Sequence, residues 1–212
     1  LQMLQSSGWP IQLDPPDVDD GRLQRGSVEP EVWVEALALM KARALASLKQ
    51  SRGDALEPCT ILGADTVCLH GGEVMGQPAD AEQARAMLER HQNTSHVVLT
   101  GTCLIAWPDL RRLLFVDRAT VTWGAIDADD MQAYLDDDAW RGKAGAYNLQ
   151  ERIDAGWPIE CEGDPSTVMG LPMRRLRTLF EDASSDTAVW GGENKYVRLR
   201  CSKRTSSSSA AA

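Results

Sequence analysis

The sequence has little positive charge and no long apolar run. Of its 212 residues, 22 are lysine or arginine and 31 are aspartate or glutamate, which gives a formal net charge of -9 at pH 7. Because proteins that bind DNA or RNA polymers usually present a basic surface, this balance argues against such partners. It does not exclude a single nucleotide, whose phosphates a metal ion and a few lysines can neutralise. No apolar stretch approaches the length of a membrane span, so we expect no membrane partner.

Cysteines and histidines are sparse and irregularly spaced. The five cysteines never form a C-x-x-C pair, which is typical of reduced thiols in a cytoplasmic protein. The histidines also lack the spacing of metal ligands, and we interpret all three as surface or packing residues: His70, His91 and His96. The glycines do not form the G-x-x-x-x-G-K-[ST] motif of a P-loop.

The composition and patterning are those of an α/β domain. Hydrophobic residues make up 43% of the chain and charged residues 25%, as in ordinary soluble globules. Strand-like and helix-like segments alternate as far as residue 183, and the pattern fades over 184–212, which we predict to be a partly disordered tail. The predicted helices begin near Pro30, Asp80, Asp127 and Gly170, and the longer predicted strands cover 61–69, 96–106, 113–126 and 158–162.

The helix predicted from Pro30 to about Gln50 has an apolar residue at every fourth position. We predict that this stripe faces the core: Val32, Ala36, Met40, Ala44 and Leu48. Lys41 lies at the edge of the stripe. A lysine in such a position usually reaches past its apolar neighbours to water, and the alternative is a contact with a phosphate group.

The predicted strand 61–69 contains a single acidic residue, Asp65. A carboxylate inside a buried strand is costly unless it is paired or binds a cation. Gly63 and Ala64 have little bulk, so a ligand could approach the backbone beside the acid. Asp65 is therefore either a structural residue or the acid of an active site.

Two loops could contribute further groups to such a site. Gly142 and Gly145 surround Lys143 and would allow the backbone to approach an anion. The acidic, proline-rich segment 14–21 is either a solvated connection or the source of another carboxylate.

Short motifs occur in order along the chain. They are Lys41-Ala42, Gly63-Ala64-Asp65-Thr66-Val67, Met75-Gly76-Gln77-Pro78, Ala84 with Met87-Leu88, His96-Val97-Val98-Leu99-Thr100-Gly101, Gly142-Lys143-Ala144-Gly145-Ala146-Tyr147, Gln150, Gly163-Asp164 and Val168-Met169-Gly170-Leu171-Pro172. As an ordered set, they resemble the Maf family of nucleoside triphosphate pyrophosphatases. The resemblance extends to about residue 183.

The resemblance implies a fold and a reaction. The fold is mixed α/β over residues 1–183, with a twisted sheet, flanking helices and two lobes around a nucleotide cleft. The reaction is hydrolysis of dTTP and UTP between the α- and β-phosphates, which releases the monophosphate and pyrophosphate. The resemblance also implies a divalent cation, Mg²⁺ or Mn²⁺, and a homodimer, which is common in the family.

The resemblance also implies roles for six residues. Asp65 would accept a proton and, with Asp20, bind the metal, while Lys41 and Lys143 would contact phosphates. Thr66 and Gln150 match positions that separate the subgroup acting on dTTP and UTP from the one acting on 7-methyl-GTP. The amide of Gln150 has a donor and an acceptor, which complements the edge of uracil or thymine.

The sequence departs from the family pattern in several places. The family's Ser-x-Ser-Pro-Arg-Arg loop is absent, and residue 1 lies where we expect that loop to end. Asp20 replaces the usual Glu, Gln77 the usual Lys, and Asn93 a common Gly. The absent loop and Gln77 favour an alternative, a catalytically impaired nucleotide-binding or cell-division regulatory protein on the same fold. A third hypothesis is the same chemistry on another or a damaged nucleotide.

Overall fold

A computed structural model describes residues 2–14, 18, 23, 25–53, 58–181 and 199–201. The helices are α1 (Gln2–Gln5), α2 (Pro30–Ser51), α3 (Ala81–His91), α4 (Ala128–Asp136), α5 (Leu149–Asp154), α6 (Pro165–Val168) and α7 (Met173–Glu181). The strands are β1 (Ile11–Leu13), β2 (Cys59–His70), β3 (Glu73–Met75), β4 (Ser95–Trp107), β5 (Arg112–Trp123), β6 (Ile159–Glu162) and β7 (Leu199–Cys201). None of the helices in these ranges has the length and apolar character that crossing a bilayer requires.

The strands form one mixed sheet. Its order is β1-β7-β2-β4-β5-β6, with β3 paired to one end of β2. β7 runs parallel to β1 and β2, whereas β2, β4, β5 and β6 are successive antiparallel neighbours. The predicted mixed α/β fold and the hairpin of β4 and β5 are therefore confirmed. β7 lies in the segment interpreted as a tail, so this segment contributes a strand to the sheet.

Local interactions fix where several elements begin. The side chain of Asp80 accepts a hydrogen bond from the backbone N–H of Gln83 at 2.8 Å, and it caps α3. Asp127 caps α4 in the same way, through the backbone N–H of Asp129 at 2.9 Å. These are the caps that the sequence predicts, because a carboxylate satisfies an N–H group that the first helical turn leaves unpaired.

Helix α2 packs on β2 and β4, but the prediction of its buried face was wrong. Val32 is 55% exposed, and the side chains that are buried are Val34, Leu37, Ala38, Ala42, Leu45, Ala46 and Lys49. Apolar residues occur around most of this helix, so a four-residue repeat can be followed along more than one side. The repeat alone therefore could not identify the side that faces the sheet.

Two glycines allow α2 to lie directly on the strands. A Cβ atom at Gly63 would lie 2.5 Å from the carbonyl oxygen of Ala38, and one at Gly101 would lie 2.4 Å from that of Val34. Such distances are too short for any side chain, so helix and strand backbones touch at both positions. This contact fixes how closely the residues of α2 approach the middle of β2.

The hydrophobic core divides near the middle of β2. Ile61 and Leu62 belong to clusters with residues of α2 and α7. Cys68 belongs to a different cluster, with residues of α3, α4 and the buried Trp123 and Trp157. Asp65 lies between these parts of the core, where the predicted cleft between two lobes would be.

Candidate active site

Strand β2 lacks a neighbour along part of one edge. On one side, β4 pairs with β2 from Cys59 to Leu69; on the other, β7 pairs with residues 60–62 and β3 with residues 68–70. Within the described ranges, positions 63–67 therefore have no strand on that second side. A cavity of about 380 Å³ lies here, lined by residues of β2, the loop after α4 and the end of α6. This volume is within the range of small-molecule sites.

Asp65 and Lys41 form an ion pair in this cavity. Nζ of Lys41 donates a hydrogen bond to Oδ1 of Asp65, and both residues line the cavity. Their side chains are 19% and 14% exposed, respectively. The pairing offsets the cost of placing a carboxylate in the strand. Asp65 is therefore neither in the closed core nor on an open surface, and it lies in contact with one of the two lysines that the sequence singles out.

Thr66 presents a hydrogen-bond acceptor to the cavity. Its Oγ1 atom lies 2.8 Å from Oγ1 of Thr100, and the Thr100 hydroxyl donates to the carbonyl oxygen of Thr167 at 2.7 Å. Because Thr100 has one hydroxyl proton and gives it to this carbonyl, Thr66 must be the donor in the first bond. Thr66 can therefore accept a hydrogen bond from a ligand in the cavity, but it has no proton left to donate.

Lys143 lies on a loop that forms another wall of the cavity. The flanking Gly142 and Gly145 have φ angles of 71° and 70°, a left-handed conformation that glycine adopts without strain. Nζ of Lys143 donates to a carboxylate oxygen of Glu151 on α5, and its side chain is 22% exposed. An anionic ligand would therefore compete with Glu151 for this lysine.

Of the other two predicted residues, only Gln150 is among the described residues, and it lies outside this arrangement. Gln150 is exposed on α5, where its amide nitrogen donates to Oδ1 of Asp154 at 2.8 Å, and it is not among the residues that line the cavity. Asp20 lies outside the described residues. Gln77, which replaces the family's usual lysine, does line the cavity.

Among the residues that line the cavity without having been assigned a role from the sequence, three carry a thiol, hydroxyl or amide group: Cys68, Tyr147 and Asn148. Side chains alternate along a strand, so Cys68 projects on the same side of β2 as Thr66, and this period could have revealed it. Burial raises the pKa of Tyr147 well above its ordinary value, so its hydroxyl stays neutral. Tyr147 is the last residue of the motif 142–147 and Asn148 directly follows it, so their position beside this motif is the sequence feature that points to them.

Two histidines are buried beside Cys68. His91 and His96 are 0% and 2% exposed, and their ring centroids are 4.2 Å apart, so both are buried in the core and neither is a surface residue. Burial lowers the pKa of His91 to about 4 and that of His96 to about 3, so both rings are neutral at pH 7. Cys68, His91 and His96 each offer one atom to a group of three within 4.8 Å, which could hold a metal ion. Their spacing in sequence did not indicate this, because it depends on three separate elements meeting in the fold.

Comparison with known proteins agrees with the motifs around the cavity. The family model described as Maf-like protein matches residues 1–183. This chain belongs to the Maf family.

Several relatives of this Maf-family chain are named dTTP/UTP pyrophosphatase. The protein of Salinibacter ruber (strain DSM 13855 / M31) is 40% identical over 154 residues, which cover 72% of each chain. The protein of Pelotomaculum thermopropionicum is 34% identical over 156 residues, which cover 74% of this chain and 78% of the relative. That of Symbiobacterium thermophilum is 34% identical over 174 residues, which cover 82% of this chain and 84% of the relative.

Three of the motifs that carry the family resemblance border the cavity. The segment 63–67 lies on β2 beside its open edge, the segment 142–147 forms the loop with Lys143, and the segment 168–170 follows α6. These three segments are far apart in the sequence and share the cavity only in the fold. The cavity is therefore the part of this Maf-family chain in which these family motifs meet.

Proposed function

We propose that this chain hydrolyses dTTP and UTP to the nucleoside monophosphate and pyrophosphate. The observation that carries the proposal is the Lys41–Asp65 pair, held in a cavity that the family motifs border. Relatives at 34–40% identity bear the name of this activity. Hydrolysis of a phosphoanhydride needs neutralised phosphate charge and a base for the attacking water, and a carboxylate beside a lysine suits both needs.

In this proposal Asp65 is the proton acceptor. Water attacks the α-phosphorus, the bond between this phosphorus and the bridging oxygen breaks, and pyrophosphate leaves with the electron pair. The proton of the water passes to the carboxylate of Asp65, which Lys41 holds in place through its hydrogen bond. Lys41 and Lys143 both line the cavity and offset the negative charge of the phosphates.

A divalent cation, Mg²⁺ or Mn²⁺, is part of the proposal. Such ions take oxygen ligands, usually one or two carboxylates together with water and phosphate oxygens of the substrate. Asp65 fits this requirement because its carboxylate lines the cavity, and we assign Asp20 as the second carboxylate. A cation bound by these residues would supply further neutralisation of the phosphate charge.

We assign selection of the base to Thr66 and Gln150. Uracil and thymine present an N–H donor between two carbonyl oxygens, and the acceptor that Thr66 presents to the cavity is complementary to this N–H. Gln150 offers both a donor and an acceptor. Because its amide is bonded to Asp154, Gln150 must leave this contact to reach a base in the cavity.

Pyrophosphate release from dTTP and UTP tests the proposal. With Mg²⁺ or Mn²⁺ present, we expect release by the purified chain and a reduction of roughly 10²- to 10⁴-fold in the variant Asp65→Asn, which removes the proton acceptor. Asp109→Asn is the matched control, since Asp109 lies in the exposed turn between β4 and β5 with a side chain 62% exposed. Equal rates in the two variants, or no pyrophosphate from any triphosphate in a panel of common and modified nucleotides, would refute the assignment.

A second function is favoured by Gln77. This residue lines the cavity where the family usually has a lysine, so one positive charge near the phosphates is absent. The second candidate is therefore a catalytically impaired nucleotide-binding or cell-division regulatory protein. Calorimetry distinguishes the two, because tight binding of dTTP without turnover supports the second, whereas turnover, or the absence of binding, excludes it.

The location and assembly of the protein complete the proposal. Three of the cysteines, Cys68, Cys103 and Cys161, are free thiols, which suits the cytoplasm. We propose that residues 1–183 form the catalytic domain, that 184–212 form a tail from which β7 joins the sheet, and that two copies associate as a homodimer. Light scattering of the purified chain measures the number of copies directly.

A further inference from the structure

Cys68, His91 and His96 meet behind the wall of the cavity. Cys68 lies on β2, His91 is the last residue of α3, and His96 lies near the start of β4. One atom of each side chain lies within 4.8 Å of the others. The three residues are 2%, 0% and 2% exposed, respectively, so the cluster is closed to bulk solvent. Cys68 and Asp65 are an odd number of residues apart on β2, so they project on opposite faces of the strand.

His91 has a nitrogen with a free lone pair. Its Nε2 atom lies 3.1 Å from the carbonyl oxygen of Gly145, and a carbonyl oxygen only accepts hydrogen bonds. Nε2 must therefore carry the proton, which leaves Nδ1 of the neutral ring unprotonated. This Nδ1 atom is buried, and the described residues provide no hydrogen-bond partner for it.

His96 takes the same arrangement in the tautomer whose Nε2–H donates to the hydroxyl of Tyr147. Its Nε2 atom lies 2.7 Å from the hydroxyl of Tyr147, and its Nδ1 atom is buried with no partner among the described residues. Buried polar atoms are rarely left without a partner. Histidines that bind metals usually have their second nitrogen bonded to a carbonyl or another polar group, which fixes the ring, and both rings here are held in this way.

We propose that Cys68, His91 and His96 bind a thiophilic cation such as Zn²⁺, with water as the fourth ligand. A sulfur and two imidazole nitrogens are ligands that Zn²⁺ favours, whereas Mg²⁺ and Mn²⁺ prefer oxygen. Zn²⁺ lies about 2.3 Å from sulfur and about 2.0 Å from nitrogen, which places tetrahedral ligands roughly 3.5 Å apart. The side chains would therefore close around the ion by about 1 Å. The proposal concerns a second site and does not depend on the activity proposed above.

Binding must release a proton from Cys68. Burial raises the pKa of this thiol to about 12, so it is protonated at pH 7 when no metal is bound. The metal binds the thiolate, so the S–H bond breaks, a sulfur–metal bond forms, and the proton passes to the buffer. The two histidines are already neutral and release none.

The bound ion would stabilise the loop that carries Lys143. A Cβ atom at Gly145 would lie 3.3 Å from both the Cys68 sulfur and Nε2 of His91, so this loop lies directly on the cluster. The Gly145 carbonyl and the Tyr147 hydroxyl are bonded to the two histidines. A filled site would therefore fix one wall of the cavity from behind.

Metal titration of the chelator-treated full chain, without nucleotide, tests the proposal. We expect one Zn²⁺ per chain with release of about one proton, which calorimetry in buffers of different ionisation enthalpy measures. We also expect that Co²⁺ gives the thiolate-to-cobalt absorption of a tetrahedral site and that excess Mg²⁺ does not compete. No stoichiometric binding, or Co²⁺ binding without this absorption, would overturn the proposal.

Paired cysteine variants locate the site. We expect Cys68→Ser to weaken Zn²⁺ binding by at least roughly 100-fold, because loss of a ligand should exceed the 10- to 100-fold loss typical of outer-shell changes. Cys161→Ser is the matched control, since Cys161 is also a free thiol but is not part of the cluster. Equal weakening in both variants would overturn the assignment. If Cys68→Ser does not fold, the Co²⁺ spectrum of the unaltered chain still decides between thiolate coordination and its absence.

Discussion

Replacement of Gly63 by alanine tests whether the contact between α2 and β2 sets the geometry of the cavity. The new Cβ atom would lie 2.5 Å from the carbonyl oxygen of Ala38 and 2.7 Å from the amide nitrogen of Ala42. Both atoms belong to the helix backbone, which cannot rotate away as the end of a side chain can. Because real Cβ contacts are not shorter than 3.0 Å, the helix must move outward by about 0.5 Å or more.

This displacement should have two measurable effects. Overpacking of a core usually costs about 1–3 kcal/mol, and we expect a value near 3 kcal/mol in the free energy of unfolding because two backbone atoms are displaced. Urea denaturation should show a lower midpoint with an unchanged slope. Since α2 carries Lys41, the same shift should separate Lys41 from Asp65 and reduce pyrophosphate release per folded molecule.

Gly76→Ala is the control for this substitution. A Cβ atom at Gly76 would meet no atom within 4 Å, and its backbone does not have the positive φ angle that favours glycine. We therefore expect a change within about 0.5 kcal/mol. If Gly63→Ala proves as stable as Gly76→Ala, α2 does not lie on the strand as closely as described, and the reasoning about the cavity fails with it.

Two further predictions concern polar side chains on β4 and β5. Thr100→Val leaves the Thr66 hydroxyl and the Thr167 carbonyl without their partner, so we expect a loss of about 1–3 kcal/mol in urea unfolding. Thr102→Val removes a buried hydroxyl that has no partner among the described residues, so it should be neutral or stabilising. If both variants lose the same free energy of unfolding, the hydrogen bonds assigned to Thr100 are contradicted. Burial raises the pKa of Asp117 despite the opposing charge of Arg175, so its contribution to stability is fully present below the ordinary carboxyl pKa and is lost as pH rises through the raised pKa of the folded chain. Asp117→Asn should therefore gain stability relative to the natural chain as pH rises from below the ordinary carboxyl pKa to above the raised one, and a constant difference over this range would contradict the shift.

Where a local interaction decides the structure, the sequence predicted it. Asp80 and Asp127 cap their helices through the bonds expected of an N-terminal carboxylate. Gly71 and Gly72 have φ angles of 60° and 84° and turn β2 into β3, as their position between two strand-like segments indicates. Each of these features depends on contacts within a few residues, so no knowledge of the rest of the fold is needed.

Features that depend on distant contacts were missed or wrong. The buried side of α2 lies against Gly63 and Gly101, which are on strands far along the chain and meet the helix backbone at Ala38, Ala42 and Val34. The short helices α5 and α6 have six and four residues, too few for an apolar period to appear. They are instead marked by single capping residues, Asn148 and Asp164, which accept bonds from the following backbone.

The candidate site was predicted only in part, because some of its features are visible within one segment and others depend on distant contacts. Asp65 stands out because a lone acid in an apolar strand demands a partner, and Lys41 proved to be one. Whether the Thr66 hydroxyl donates or accepts toward a ligand could not be predicted from the sequence. The answer depends on Thr100, which bonds both Thr66 and the carbonyl of Thr167, a residue 101 positions after Thr66. The cluster of Cys68 with two histidines likewise arises from the meeting of three elements.

The open edge of β2 explains how side chains on opposite faces of this strand can line the same cavity. Ile61 packs with residues of α2, whereas Leu62 and Ala64 pack with residues of α7, so Asp65 projects on the α2 side and Thr66 on the other. In the middle of a sheet, a neighbouring strand on each side would separate two such faces. Because the described residues provide no such strand beside positions 63–67, a ligand can pass around the edge and contact both side chains. The break in pairing, rather than the acid alone, therefore makes this position suitable for binding a small anionic molecule.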